Sequence, residues 1–195
     1  MHVAGSIHAD ATTPGPQWLT RPLDVNTLDT ALWSQTVTRR ADGVVEVGGR
    51  TVSDVVAETG TPVYVLDEVD FRTRARDFHD AFAGWRVYYA GKSFLCRAVA
   101  RWVTEEGLFL DVCSGGELVV ALTAGVDPAR IALHGNNKSV EELELALRHG
   151  VGRLIVDSLD EITRIERLCA ENSWTAKVMV RVTTGVEAHT HEFIA

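Results

Sequence analysis

Lys92 stands near the end of the run Val87-Tyr88-Tyr89-Ala90-Gly91-Lys92-Ser93-Phe94, in which strand-forming residues lead into a glycine and then a single cation. The pattern places a primary amine at the tip of a strand, where a helix is about to begin. The small residues Ala90 and Gly91 leave room for a bulky group to lie against the backbone beside that amine, as a bound cofactor would. An amine held this way can form a Schiff base with a carbonyl compound. The ordinary alternative is a solvated lysine that caps a strand. Asp111, His134-Gly135-Asn136-Asn137, Asp157-Ser158 and Arg181-Val182-Thr183 also fall where apolar runs end. Strand alternation puts Tyr88, Ala90 and Lys92 on one face, and does the same for Phe109, Asp111 and Cys113 and for Met179, Arg181 and Thr183. Asp111 and Arg181 are therefore expected to point inward beside Lys92, within ion-pair reach of each other or of a cofactor. Inward charges are expensive unless they are paired, so the three together mark a polar chamber; a purely structural Asp–Arg pair is the other reading. Glu117 reads as a helix cap. His189 and His191 in His189-Thr190-His191-Glu192 are spaced to share one face of a strand, as metal ligands can, but no third ligand lies nearby and no metal is expected.

The elements that must position these groups are legible from Thr61-Pro62 onward, where a strand–loop–helix pattern repeats at a near-constant period. Apolar runs begin at Val63, Arg86, Leu108, Ile131, Leu154 and Val178, and predict six strands. Between them, helices over Asp67–Gly84, Ser93–Gly107, Ser114–Gly125 and Ser139–Gly150 each open on a capping residue and close on a glycine. Ser114 with Glu117, Ser139 with Glu142 and Ser158 with Glu161 have capping-box spacing, in which the acid reaches back to the cap's own N–H. Phe71, Ala75, Phe78 and Phe82 form one apolar stripe, and Ile162, Ile165 and Cys169 another, both suited to covering a sheet. Helices alternating with apolar strands imply parallel pairing, and the regular period favours a (β/α) barrel over a doubly wound sheet. The doubly wound alternative also lacks its glycine-rich first turn, since Leu66-Asp67-Glu68-Val69 contains no glycine. About six units are short of the eight of a closed barrel. The expected organisation is a loose tail over 1–20, an accessory β/α segment over 21–60 with a hairpin at Val44–Gly49 and a helix from Ser53 to before Gly60, and an incomplete barrel over 61–195.

Composition narrows the classes of function. The 195 residues carry a formal net charge of −8 without a clustered basic patch, which argues against a nucleic-acid surface. Cys96, Cys113 and Cys169 lie far apart and form no C-x-x-C pair, which fits a reducing cytoplasm better than a disulfide framework or a zinc knuckle. No apolar run approaches the ~20 residues of a membrane span, and no signal peptide opens the chain, so neither membrane insertion nor export is expected.

Five segments taken in order resemble the diaminopimelate decarboxylase family, its actinobacterial branch in particular. They are Tyr89-Ala90-Gly91-Lys92-Ser93, Leu110-Asp111-Val112-Cys113-Ser114-Gly115-Gly116-Glu117, His134-Gly135-Asn136-Asn137-Lys138-Ser139, Val156-Asp157-Ser158 and Gly185-Val186-Glu187-Ala188-His189-Thr190-His191. The first is shared across the alanine-racemase-like barrel enzymes that use pyridoxal 5'-phosphate; the second and third narrow it to the diaminopimelate type. The resemblance implies that Lys92 is the catalytic residue holding pyridoxal phosphate, with Ala90, Asp111 and Arg181 near the cofactor. It further implies decarboxylation of meso-diaminopimelate to L-lysine in lysine biosynthesis, an amino acid as the small-molecule substrate, and a homodimer in the full-length protein. It runs from about Pro22 to Ala195 and covers less than half of the family's length. The cofactor-stacking histidine, the glycine-rich phosphate loop, the acidic partner of the ring nitrogen and the substrate arginines would lie beyond Ala195. The chain is therefore expected to be an N-terminal fragment, inactive and poorly soluble when isolated. An ornithine- or arginine-type decarboxylase and a non-catalytic truncated barrel remain the alternatives; the coding sequence after Ala195 discriminates between an enzyme and a remnant.

Overall fold

The computed structural model describes residues 24, 26–29, 31–182 and 185. The expected tail over 1–20 and the His189–Glu192 run lie outside them. The chain divides into two compact units, one running to Asp67 and the other from Glu68.

The first unit holds a small antiparallel sheet of β1 (Thr38–Arg39), β2 (Val45–Val47) and β3 (Arg50–Thr51). Val47 pairs with Arg50 across Gly48 and Gly49, whose φ values of 57° and 78° are those of the two-residue turn that matches strand twist. Helix α1 (Val52–Thr59) follows directly and ends at Gly60. It begins before Ser53 because the Thr51 hydroxyl, accepting from the Asp54 N–H at 3.1 Å, serves as its cap. Near the end of the unit the Asp67 carboxylate accepts from Ser34 Oγ at 2.6 Å and from Thr36 Oγ1. The strand expected at Val63 is absent: Val63 to Leu66 pairs with no strand among the described residues, and all four side chains are exposed. An apolar run supplies strand propensity, but a strand exists only where a neighbour takes up its backbone groups.

The second unit is a five-stranded parallel sheet with helices on one face. Its order is α2 (Glu68–Ala81), β4 (Tyr88–Ala90), α3 (Arg97–Glu105), β5 (Phe109–Val112), α4 (Gly115–Thr123), β6 (Ile131–Leu133), α5 (Val140–His149), β7 (Arg153–Val156), α6 (Leu159–Asn172) and β8 (Val178–Val180). The strands lie in sequence order, β4-β5-β6-β7-β8. A doubly wound sheet reverses direction at a switch point; a sheet that adds each strand beside the last is the winding of a barrel. The fold is thus α/β with part of a (β/α) barrel, and the described sheet has five strands where the sequence predicted six.

The core lies between sheet and helices. Leu110 and Val112 of β5, Leu133 of β6 and Leu154 and Val156 of β7 are buried with Val99 and Val103 of α3, Leu118 of α4, Leu143 of α5 and Leu168 of α6. Each such side chain contributes about 1.5–3 kcal/mol on burial. The residues between them on the strands, Phe109, Asp111 and Ile155, occupy the opposite face and are only partly buried. The α2 stripe is only half covered: Phe71 packs on the core and Ala75 is buried, while Phe78 and Phe82 are exposed. On α6, Ile165 is buried and Cys169 packs against the core, with Ile162 at the margin.

Candidate functional site

The carboxyl ends of these strands gather the chemistry-bearing residues. Ala90 is in register with Asp111, and Asp111 with Ala132, so these residues form one row across β4, β5 and β6. Lys92 comes two residues after Ala90, in a single turn of 3-10 helix over Gly91–Ser93. That turn is pinned at both ends: Ser93 Oγ donates to the Ala90 carbonyl at 2.7 Å, and the Tyr89 hydroxyl donates to the Phe94 carbonyl at 2.8 Å. Because Ser93 spends its hydroxyl there it caps no helix, and α3 starts four residues later at Arg97. The Lys92 side chain is exposed, and it makes no ion pair within 4.0 Å among the described residues. At Gly91 a Cβ would stand 3.0 Å from the Asp111 carbonyl and 3.3 Å from Leu95, so close packing against β5 leaves little room for a side chain.

Asp111 is the second member of the site. Its side chain is 18% exposed, on the face opposite the helices, with Oδ2 3.4 Å from Nδ1 of His134 at the end of β6. Burial pushes the Asp111 carboxyl above the ordinary aspartate range; His134 and the Lys92 ammonium act against that rise, and Glu117 adds to it. Burial, with Asp111 and Glu117 nearby, also pushes the Cys113 thiol up, which holds it as a thiol.

Of the two arrangements expected for Asp111 and Arg181, the direct pair does not form. Arg181 lies just past β8 and its guanidinium is 3.4 Å from Asp157 Oδ1, while Asp111 faces His134. Alternation assigns a residue to a face correctly but does not say which neighbour it meets: Asp111 is on β5, and β6 and β7 stand between it and β8. His134, which the sequence placed at a strand end without pairing it to Asp111, is the partner. Its position two residues beyond Ala132, which is in register with Asp111, was the available signal.

Carboxylates fix the loops behind these residues. Only Ser139 and Glu142 form the full reciprocal box. Glu117 accepts from the Cys113 N–H at 2.6 Å and Glu161 from the Asp157 N–H at 2.9 Å, each one residue further back than the cap's own N–H, while Ser114 and Ser158 still cap α4 and α6. Glu142 also reaches the Gly115 N–H at 2.6 Å, which ties the start of α4 to the start of α5.

An exposed amine on a pinned turn, the small Ala90 beside it, and a half-buried carboxyl whose burial is opposed by His134 and Lys92 form a set that suits a carbonyl cofactor. Arg181 lies at the same end of the sheet. The described residues contain no group of three side chains able to hold a metal ion, and no helix long and apolar enough to cross a membrane.

Residues 68–195 match the family described as pyridoxal-dependent decarboxylase, pyridoxal binding domain. The diaminopimelate decarboxylase of Mycobacterium leprae is 50% identical over 198 residues, covering 100% of this chain and 42% of that protein. The crystal structure of the diaminopimelate decarboxylase from M. jannaschii superposes with a TM-score of 0.70 at 27% identity, covering 81% of this chain and 38% of that one. The Helicobacter pylori enzyme, complexed with L-lysine, gives 0.66 at 28% identity, over 72% and 36%. The chain spans about two fifths of the length of the curated relatives it matches.

Proposed function

The chain belongs to the pyridoxal-dependent decarboxylases through their pyridoxal-binding domain, and from that membership we propose that the protein containing it converts meso-diaminopimelate to L-lysine and carbon dioxide. The observation that carries this reading is the 50% identity to a diaminopimelate decarboxylase along the whole chain, combined with an exposed lysine on a pinned turn at the sheet's carboxyl edge.

In this proposal Lys92 holds the cofactor through Nζ, which must be unprotonated to bond to a carbonyl carbon, and Ala90, Asp111 and Arg181 flank it. Pyridoxal phosphate, when bound, supplies the carbonyl that Lys92 captures and a ring that accepts the electron pair released as the substrate's carboxylate leaves. Asp111 presents a carboxyl whose proton affinity is raised by burial and lowered again by an adjacent cation, so it responds to charge that develops nearby. His134 holds that carboxyl in place from β6. The C–C bond to the departing carboxylate breaks, carbon dioxide leaves, and a proton takes its place on carbon. The small-molecule amino-acid substrate, a homodimer that completes the site and a cytoplasmic location belong to the same reading; the free cysteines support the location.

The test is borohydride reduction of the complete translation product in the presence of pyridoxal phosphate, followed by peptide mapping. The pyridoxyl group is expected on Lys92, and Lys92→Ala is expected to abolish it together with carbon dioxide release from meso-diaminopimelate. Label on Lys138 or Lys177 would overturn the assignment. Release from ornithine or arginine in preference would overturn the substrate.

A further inference from the structure

Lys138 has none of the exposure of Lys92. Its side chain is 1% exposed, and Nζ donates to the Gly135 carbonyl at 2.5 Å and to the Ile155 carbonyl at 2.7 Å, with Glu161 Oε1 at 2.8 Å. Three acceptors match the three protons of an ammonium. Glu161, 6% exposed, uses its other oxygen to accept from the Asp157 N–H. The pair therefore grips the end of β6 at Gly135 and the end of β7 at Ile155 and Asp157. One residue from the first grip is His134, which faces Asp111; the second grip holds the residue that faces Arg181.

Stability alone does not explain a pair placed like this. Taking two charges out of water is costly, and a well-packed apolar pair of the same volume is commonly as stable or more so. An apolar pair lacks directed bonds, and so cannot fix the rotation of the Gly135 peptide. Gly135 has φ at 129°, a conformation that favours glycine, and it directly follows His134, whose own N–H donates to the Val112 carbonyl at 2.8 Å. We infer that Lys138 and Glu161 are positioning residues of the site, locking the ends of β6 and β7 so that His134 meets Asp111 and Asp157 meets Arg181. This concerns the same edge of the sheet as the proposed function, and it is tested without cofactor so that the two stand or fall separately.

The readout is the titration of the Asp111 carboxyl, followed by carbon NMR in aspartate-labelled, cofactor-free complete translation product and assigned by its loss in Asp111→Asn. The charged groups acting on that carboxyl are His134 from the end of β6, Lys92 from the turn after β4 and Glu117 from α4. Removing His134 directly, as His134→Gln, calibrates the upward shift expected when the contact is lost. Lys138→Met/Glu161→Met removes no net charge, and is expected to fold with a melting temperature near the parent's while moving the Asp111 midpoint up as far as His134→Gln does. Lys138→Gln/Glu161→Gln keeps part of the directed bonding and is expected to move it part of the way. If the Met pair does not fold, the Gln pair decides by the same criterion. A folded variant of either kind with the Asp111 midpoint unmoved would show that the pair only holds the fold together, and would overturn the inference.

Discussion

Asp111 is held in a conflict between its surroundings and its charge. Burial raises its carboxyl above the ordinary aspartate range, and the unfolded chain has no such burial. The folded protein therefore binds this proton more tightly than the unfolded one. The associated stability is fully present below the unfolded aspartate range and is lost as pH rises through the higher folded value. At neutral pH the ionised Asp111 works against folding, so Asp111→Asn is expected to raise the urea midpoint of the cofactor-free protein at pH 7, and to leave it unchanged near pH 3, where both residues are neutral. If Asp111 flanks the cofactor as proposed, the same substitution is expected to weaken pyridoxal phosphate binding. A urea midpoint that falls at pH 7 would mean that the His134 contact outweighs burial.

At the scale of elements, helix ends were read most accurately and cross-strand partners least. Ser114, Ser139 and Ser158 were legible as caps because a cap is a local matter, decided within four residues. The apolar runs marked the starts of the five parallel strands to within two residues, but not whether each run would find a partner. What the sequence does not contain is which N–H a carboxylate chooses. Glu117 and Glu161 pass over the cap and take the residue before it, and Glu142 bridges to a second helix. Nor does it show Gly152 as a packing requirement, although a Cβ there would stand 2.1 Å from the Ala129 carbonyl. The missing strand at Val63 and the Asp157–Arg181 pairing are failures of the same kind, because both depend on neighbours distant in sequence. Glu142 turns this into a prediction. Its carboxylate serves the Ser139 N–H at 2.9 Å and the Gly115 N–H at 2.6 Å, so Glu142→Ala removes charged acceptors from two helix starts. It is expected to cost about 2–3 kcal/mol in chemical denaturation. Ser139→Ala removes only the cap and is expected to cost about 1 kcal/mol. Equal losses from the two would show that the bridge to Gly115 adds nothing.

For the molecule as a whole, the two edges of the parallel sheet differ in kind. Among the described residues β4 pairs only with β5 and β8 only with β7. The β4 side chains are all half-buried, with Tyr89 against Phe71 and Tyr88 against Phe109. Val178, Met179 and Val180 of β8 are all exposed, and no lysine, proline or bulge interrupts them. An apolar edge with open backbone groups is a template for a strand of another chain. Against this acts the net charge of −8, which keeps copies apart over roughly a Debye length and is screened by salt. These opposing terms fix the sign of the salt dependence. The 195-residue chain on its own is expected to associate with rising concentration in sedimentation velocity, and more so at high salt than at low. Charge-driven association would weaken with salt. Val178→Lys/Val180→Lys places cations along the edge and is expected to lower the association at every salt concentration. A parent chain that sediments as a single monomer at both salt concentrations would show that β8 is not an open edge in solution, and that some other part of the chain covers it.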